Sequence, residues 1–210
     1  LITPPNPFLE DERRNCPLGI LYVAAVLEQA GYDVKVVDLR GASKELWEIP
    51  RSEVYGITSS SADFAYAAEV ANYLRERGPC KIIIGGAHTV ASDECLSNGF
   101  SVVVGEGEKA ILHMLQDDLQ VVECPLIEDL DSIPFPARHL LPRESVVSAA
   151  LCHQGVPATT IIASRGCPFS CLYCASPRLW RRRVRRHSPE YTIREVETLV
   201  RDYGVKELRF

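Results

Sequence analysis

Three cysteines stand within eight residues, in the run Ser164-Arg-Gly-Cys-Pro-Phe-Ser-Cys-Leu-Tyr-Cys174. Cys167, Cys171 and Cys174 are spaced C-x3-C-x2-C, and thiolates are soft ligands suited to zinc or iron–sulfur. Structural zinc takes four closed ligands, and no fourth Cys or His follows at ordinary spacing. The spacing also departs from the C-x2-C-x2-C-x3-C run of ferredoxins. Three thiolates on a four-iron cluster leave one iron open, which suits chemistry better than electron storage. Gly166 lets the chain turn sharply into this loop.

The other cysteines, Cys16, Cys80, Cys95, Cys124 and Cys152, are scattered and read as idle or buried thiols. In a chain of 210 residues with core-like strands, clustered thiols are better read as metal ligands than as disulfides. A reducing cytoplasm is the default expectation. The formal net charge of -5 gives no general attraction to nucleic acid. No apolar run approaches the roughly 20 residues of a membrane span.

Positioning these groups falls to two patterns. Over residues 1–122, short runs rich in Val and Ile at 1–3, 34–39, 54–58, 81–84 and 101–104 predict strands buried on both faces. Helical stripes lie between them: Leu18, Leu21, Tyr22 and Ala25, then Phe64, Ala67, Ala68, Ala71 and Leu74, a weaker one after Ser92, and another from Lys109 to Asp118. That alternation predicts an α/β domain, a doubly wound parallel sheet of flavodoxin-like type. Residues 123–157, with Pro125, Pro134, Pro136 and Pro142, read as an extended linker packed over a surface. Residues 158–210 begin a second unit: a strand at 159–163, the cysteine loop, a helix capped by Ser188 and started by Pro189, and a strand from Glu207. Ile193, Val196, Val200 and Tyr203 are the expected buried face of that helix. One βαβ unit cannot cover its own faces, so this domain is expected to be cut short, and the chain to begin after a clipped N-terminus.

Ligands of doubly wound sheets bind beyond the carboxyl ends of the strands. The loops there are Thr3-Pro-Pro-Asn-Pro7, Thr58-Ser59-Ser60-Ser61, Gly85-Gly86-Ala87-His88 and Gly105-Glu106-Gly107-Glu108. They let backbone approach a ligand closely. There is no G-x-G-x-x-G after the first strand. Glu106 and Glu108 make the last loop a poor phosphate cradle, suited instead to accepting hydrogen bonds or to an ordinary tight turn. His88 alone is read as a ligand contact or an ordinary loop histidine. Arg178, Arg181, Arg182, Arg183, Arg185 and Arg186, with Trp180 among them, read as a solvated loop pairing with acidic surface rather than a nucleic-acid site, since the rest of the chain carries no matching stripe.

The cysteine run, with an aromatic before its last cysteine, resembles the signature of the radical S-adenosylmethionine superfamily. The pieces Pro17-Leu-Gly-Ile-Leu-Tyr22, Gly85-Gly-Ala-His88, Val104-Gly-Glu-Gly-Glu108, Asp131-Ser-Ile-Pro-Phe-Pro-Ala-Arg138 and Arg186-His-Ser-Pro-Glu190 extend the resemblance to B12-dependent members of that family. The resemblance implies a [4Fe–4S] cluster on Cys167, Cys171 and Cys174, with Tyr173 beside the adenine of S-adenosylmethionine. It implies cleavage to a 5′-deoxyadenosyl radical and a cobalamin held by Thr58, Ser59, Ser60, Gly85, Gly86, His88, Gly105, Glu106 and Gly107. Residues 158–210 would then start a partial TIM barrel, and this chain would hold a cluster poorly and catalyse nothing alone. The D-x-H-x-x-G motif for a lower histidine ligand is absent, so the expected corrinoid takes no histidine from it. The implied reaction is methylation, cyclisation or rearrangement of a small biosynthetic intermediate, with a reductant such as flavodoxin or ferredoxin. A transfer-RNA methylthiotransferase would need three clustered cysteines in the front domain, which are missing. A non-catalytic iron–sulfur electron-transfer module is the remaining alternative.

Overall fold

The computed structural model describes residues 1–117, 119–148 and 155–210. Cys152, Asp118 and the stretch 149–154 of the expected linker lie outside the described residues.

Six strands form one parallel sheet: β1 (Ile2–Thr3), β2 (Val37–Asp38), β3 (Val54–Thr58), β4 (Lys81–Gly85), β5 (Ser101–Val104) and β6 (Val121–Glu123). Their order is β2-β1-β3-β4-β5-β6. This is the doubly wound α/β arrangement expected. Successive residues of one strand enter different cores: Ile82 and Ile84 join Ile57, Ala67, Val70 and Leu74, while Ile83 joins Leu27, Ala110 and Met114. Burial on both faces is why these strands read as unbroken apolar runs. One face is covered by α2 (Phe64–Glu76) and α3 (Ser92–Ser97), the other by α1 (Leu18–Gln29) and α4 (Gly107–Gln116). β6 was not anticipated. Its three residues alternate exposed and buried, and only pairing Val102–Val104 with Val121–Glu123 makes them a strand.

The proline-bearing connector packs Ile127, Leu130, Ile133 and Leu141 against Leu18, Leu21 and Tyr22 of α1. It contains the short helix α5 (Arg143–Val146). After it come β7 (Ala158–Thr160), the antiparallel pair β8 (Ser164–Gly166) and β9 (Val184–Arg186), α6 (Ser176–Trp180), α7 (Pro189–Tyr203) and β10 (Glu207–Arg209). β10 runs parallel to β7 with α7 between them, as a βαβ unit requires.

α7 starts as its sequence predicts: the Ser188 hydroxyl accepts from the Tyr191 amide at 3.0 Å. Gly204, at φ 64, ends it in the left-handed conformation. Its buried face differs from expectation. Tyr191, Glu195 and Leu199 are buried, whereas Ile193 and Val200 are exposed. The rotation has a polar cause. Glu195 turns inward to meet Arg138 of the connector at 2.9 Å, both side chains 4 % exposed, and Arg138 also donates to the Thr160 carbonyl at 2.8 Å. A hydrophobicity pattern cannot see a buried acid that pairs with a base 57 residues away.

Candidate functional site

The carboxyl ends of β3, β4 and β5 open into a cavity of about 580 Å³. Its floor is Gly85, Gly86, Gly105 and Gly107, with Gly19 and Val23 of α1 at one side. Its far wall belongs to the cysteine hairpin: Arg165, Gly166, Cys174, Ser176 and Trp180. The glycines differ in purpose. A methyl group on Gly19 or Gly85 would meet no atom within 4 Å, so these positions keep the floor open; Gly105 has the same open space, and its φ of 88 also requires glycine for the turn. Gly86, at φ 101, lies against the Ser59 backbone, and a Cβ there would sit 2.5 Å from the Ser59 carbonyl oxygen. Its absence of side chain serves the turn. Ile83, Val103 and Ile111 make the walls apolar, with hydroxyls from Thr58, Ser164 and Ser176 at the rim. A floor stripped of side chains, apolar walls and a few polar groups fit a broad, flat ligand.

Not every expected residue reaches this cavity. Thr58, Gly85, Gly86, Gly105, Glu106 and Gly107 line it; Ser59, Ser60 and His88 do not. The Ser59 hydroxyl and the Ser60 amide both reach the Asp63 carboxylate, at 3.0 and 2.6 Å. His88 stacks on Phe64 with ring centroids 3.9 Å apart and shares its Nδ1 with the Ser61 hydroxyl at 3.1 Å. Its Nε2 lies 3.3 Å from Glu94, outside hydrogen-bond alignment. Among the described residues no histidine lines the cavity.

Glu106 lies at the rim with both oxygens engaged. Oε1 accepts from Arg165 at 3.0 Å; Oε2 accepts from Arg185 at 2.6 Å and from the Ile127 amide at 2.7 Å. Arg165 also meets Glu108 at 2.6 Å and lies over the Tyr22 ring at 4.8 Å. Burial pushes the Glu106 carboxyl up, but the hydrogen bonds from Arg185, Ile127 and Arg165 outweigh it and hold it below the ordinary range. The Gly105–Glu108 loop is therefore the junction between the sheet and the cysteine hairpin. Sequence reasoning expected those acids to accept hydrogen bonds, yet it missed Arg165 and Arg185 as donors and Trp180 as a wall. The only signal was charge: two arginines flanking the cysteine loop and two acids on one glycine turn.

The hairpin itself carries the three thiols. Gly166, at φ 101, is where a Cβ would overlap the Arg183 carbonyl, so only glycine lets β8 pair with β9 there. Cys167 is half-buried, Cys171 and Cys174 are exposed, and Tyr173 is 92 % exposed, outside the cavity wall. The Ser176 hydroxyl and amide hold the Cys174 thiol below its usual range, the amide reaching Sγ at 3.4 Å. Among the described residues no three His, Cys, Asp or Glu side chains converge tightly enough for a single metal ion. The C-x3-C-x2-C donor set is three soft thiolates in an accessible loop, the ligand chemistry that an iron–sulfur cluster takes.

Residues 13–115 match the B12 binding domain family. A protein of Pyrococcus horikoshii named as an uncharacterized methyltransferase is 29 % identical over 92 % of this chain and 48 % of its own length. The anaerobic magnesium-protoporphyrin IX monomethyl ester cyclase of Synechocystis is 26 % identical over 98 % of this chain and 47 % of its own. The chain thus spans about half the length of these curated relatives. Among solved structures, the radical S-adenosylmethionine methyltransferase TsrM from Kitasatospora setae, with cobalamin and a [4Fe–4S] cluster bound, superposes with a TM-score of 0.66 over 99 % of this chain and 48 % of its own, at 15 % identity. That likeness speaks to fold.

Proposed function

We propose that this chain, whose residues 13–115 match the B12 binding domain family, belongs with the B12-binding-domain-containing radical S-adenosylmethionine enzymes and is part of a methyltransferase or cyclase acting on a small biosynthetic molecule. In this reading a corrinoid lies on the glycine floor, and a [4Fe–4S] cluster is held by Cys167, Cys171 and Cys174. The observation that carries it is a shared cavity: the open glycines of the strand ends and Cys174 of the hairpin line the same space.

When bound, the cluster would supply the electron that cleaves S-adenosylmethionine to a 5′-deoxyadenosyl radical, and the corrinoid would supply methyl-carrying capacity. The chain's own residues do simpler work. Gly85 and Gly105 admit a flat ligand to van der Waals distance of backbone, and Thr58 and Ser176 offer hydroxyls at its rim. Glu106, Arg165 and Arg185 hold the hairpin at a set distance from the floor. No described helix is long and apolar enough to cross a membrane.

Two measurements test this. The full-length protein, reconstituted anaerobically with iron and sulfide and given S-adenosylmethionine and a reductant, is expected to form 5′-deoxyadenosine; none from an iron-loaded, folded sample would refute the radical reading. The chain incubated with hydroxocobalamin is expected to keep a corrin spectrum through gel filtration. A colourless protein fraction would refute the corrinoid.

A further inference from the structure

The arginine run after the cysteine loop is not uniformly solvated. From residue 181 to 185, every second residue is an arginine that crosses to an acid of the sheet or its connector. Arg181 meets Glu123 at 2.8 Å. Arg183 grips Glu128 with both terminal nitrogens, at 2.6 and 2.8 Å. Arg185 is buried on Glu106 at 2.6 Å. Arg178, Arg182 and Arg186 stay exposed. Among the described residues, Arg181 and Arg182 are the only non-glycine residues at positive φ, 50° and 57°. L residues rarely adopt that conformation, and it persists where surrounding contacts dictate it. The dictated outcome is the position of α6. Its last residue, Trp180, lines the cavity opposite Gly85 and Gly105, and the Arg185 guanidinium lies 5.7 Å from its ring centre.

We infer that Arg181, Arg183 and Arg185 form an ionic strap that seats Trp180 as the roof of the cavity, making Trp180 a contact residue for the flat ligand held there. The ligand half of this inference rests on the corrinoid reading above; the strap does not. The strap has two grades. The Arg181 and Arg183 pairs are more than half exposed, so salt screens them. The Arg185 pair is buried and is screened far less.

Tryptophan emission reads this directly, because the 210-residue chain has two tryptophans and Trp47 is buried in the sheet core. In a Trp47→Phe background, acrylamide quenching reports Trp180 alone. Adding Glu123→Gln and Glu128→Gln is expected to raise the fraction of the chain with Trp180 unseated by about two- to thirtyfold, from two exposed pairs. Raising salt toward 1 M should increase quenching when both acids are present and change little when both are replaced. Salt-independent quenching that is the same with and without the two acids overturns the strap.

For the roof, Trp180→Ala should weaken hydroxocobalamin retention by about tenfold while Trp180→Phe keeps most of it. Equal retention by both variants and the parent overturns the roof. If the parent chain retains no corrinoid, the corrinoid reading and the roof fall together, and the quenching result still decides the strap.

Discussion

Replacing Glu106 by Gln removes one negative charge from a site where two guanidinium groups converge. The Glu106 side chain is 1 % exposed and accepts three hydrogen bonds, from Arg185, the Ile127 amide and Arg165. Arg165 would keep Glu108 at 2.6 Å. Arg185, 5 % exposed, would lose its counter-charge and keep the Ile127 carbonyl at 2.6 Å and the Trp180 ring at 5.7 Å, and its Nε and Nη2 already lack partners. Leaving a buried charge without its counter-ion costs about 3–5 kcal/mol. For a chain of this size each kcal/mol moves the melting temperature by roughly 2–4 °C, so Glu106→Gln should lower it by about 6–20 °C. The control is Glu123→Gln, whose pair with Arg181 is more than half exposed. It should cost under about 1 kcal/mol. Adding Arg185→Met to Glu106→Gln removes the orphaned charge and should recover much of the loss. The sign with pH is also set. The folded Glu106 carboxyl lies below its ordinary value of 4.5, so its contribution is complete above about pH 4.5 and is lost as pH falls through the lowered value. Thermal melts read by circular dichroism at pH 7 and pH 3 measure both effects. A Glu106→Gln melt at pH 7 within the control's shift would refute the buried network as the tie between sheet and hairpin.

Three further outcomes are expected. In the full-length protein, Ala at Cys167, Cys171 or Cys174 should abolish iron and sulfide uptake on anaerobic reconstitution, while Ala at the scattered Cys80 or Cys124 should leave the iron content unchanged. Gly85→Leu, filling open floor, should lower corrinoid retention more than tenfold with little change in melting temperature, whereas Gly86→Ala, forced against the Ser59 backbone at φ 101, should destabilise by at least about 2 kcal/mol. Ser188→Ala should cost about 1 kcal/mol in urea unfolding by freeing the Tyr191 amide at the start of α7.

Local chemistry made part of this protein legible. The C-x3-C-x2-C run, the Ser188-Pro189 helix start, Gly204 at the helix end and the apolar runs of β3, β4 and β5 each depend on residues within a few positions of one another. Their periods and caps are properties of the chain itself, so the doubly wound sheet and the candidate thiols could be read from it. The glycine loops were legible as a cluster because topology puts all strand ends on one edge.

Other features exist only because distant segments meet. Arg165 and Arg185 lie 59 and 79 residues from Glu106, and nothing in Ser-Arg-Gly or Val-Arg-Arg alternates as an ordinary strand should. Those segments become β8 and β9 because acids on the sheet neutralise their arginines in a nearly dry site, where a charge without a partner would be costly. A second buried pair, Arg138 with Glu195, turned α7 so that the acid faces inward, and the hairpin so held brings Trp180 to the wall of the cavity; Ser59 and Ser60 are held instead by the nearby Asp63, and His88 by stacking on Phe64. Spacing along the chain determined which residues could do chemistry. Long-range charge pairing, which leaves no periodic trace, decided which of them face the same space.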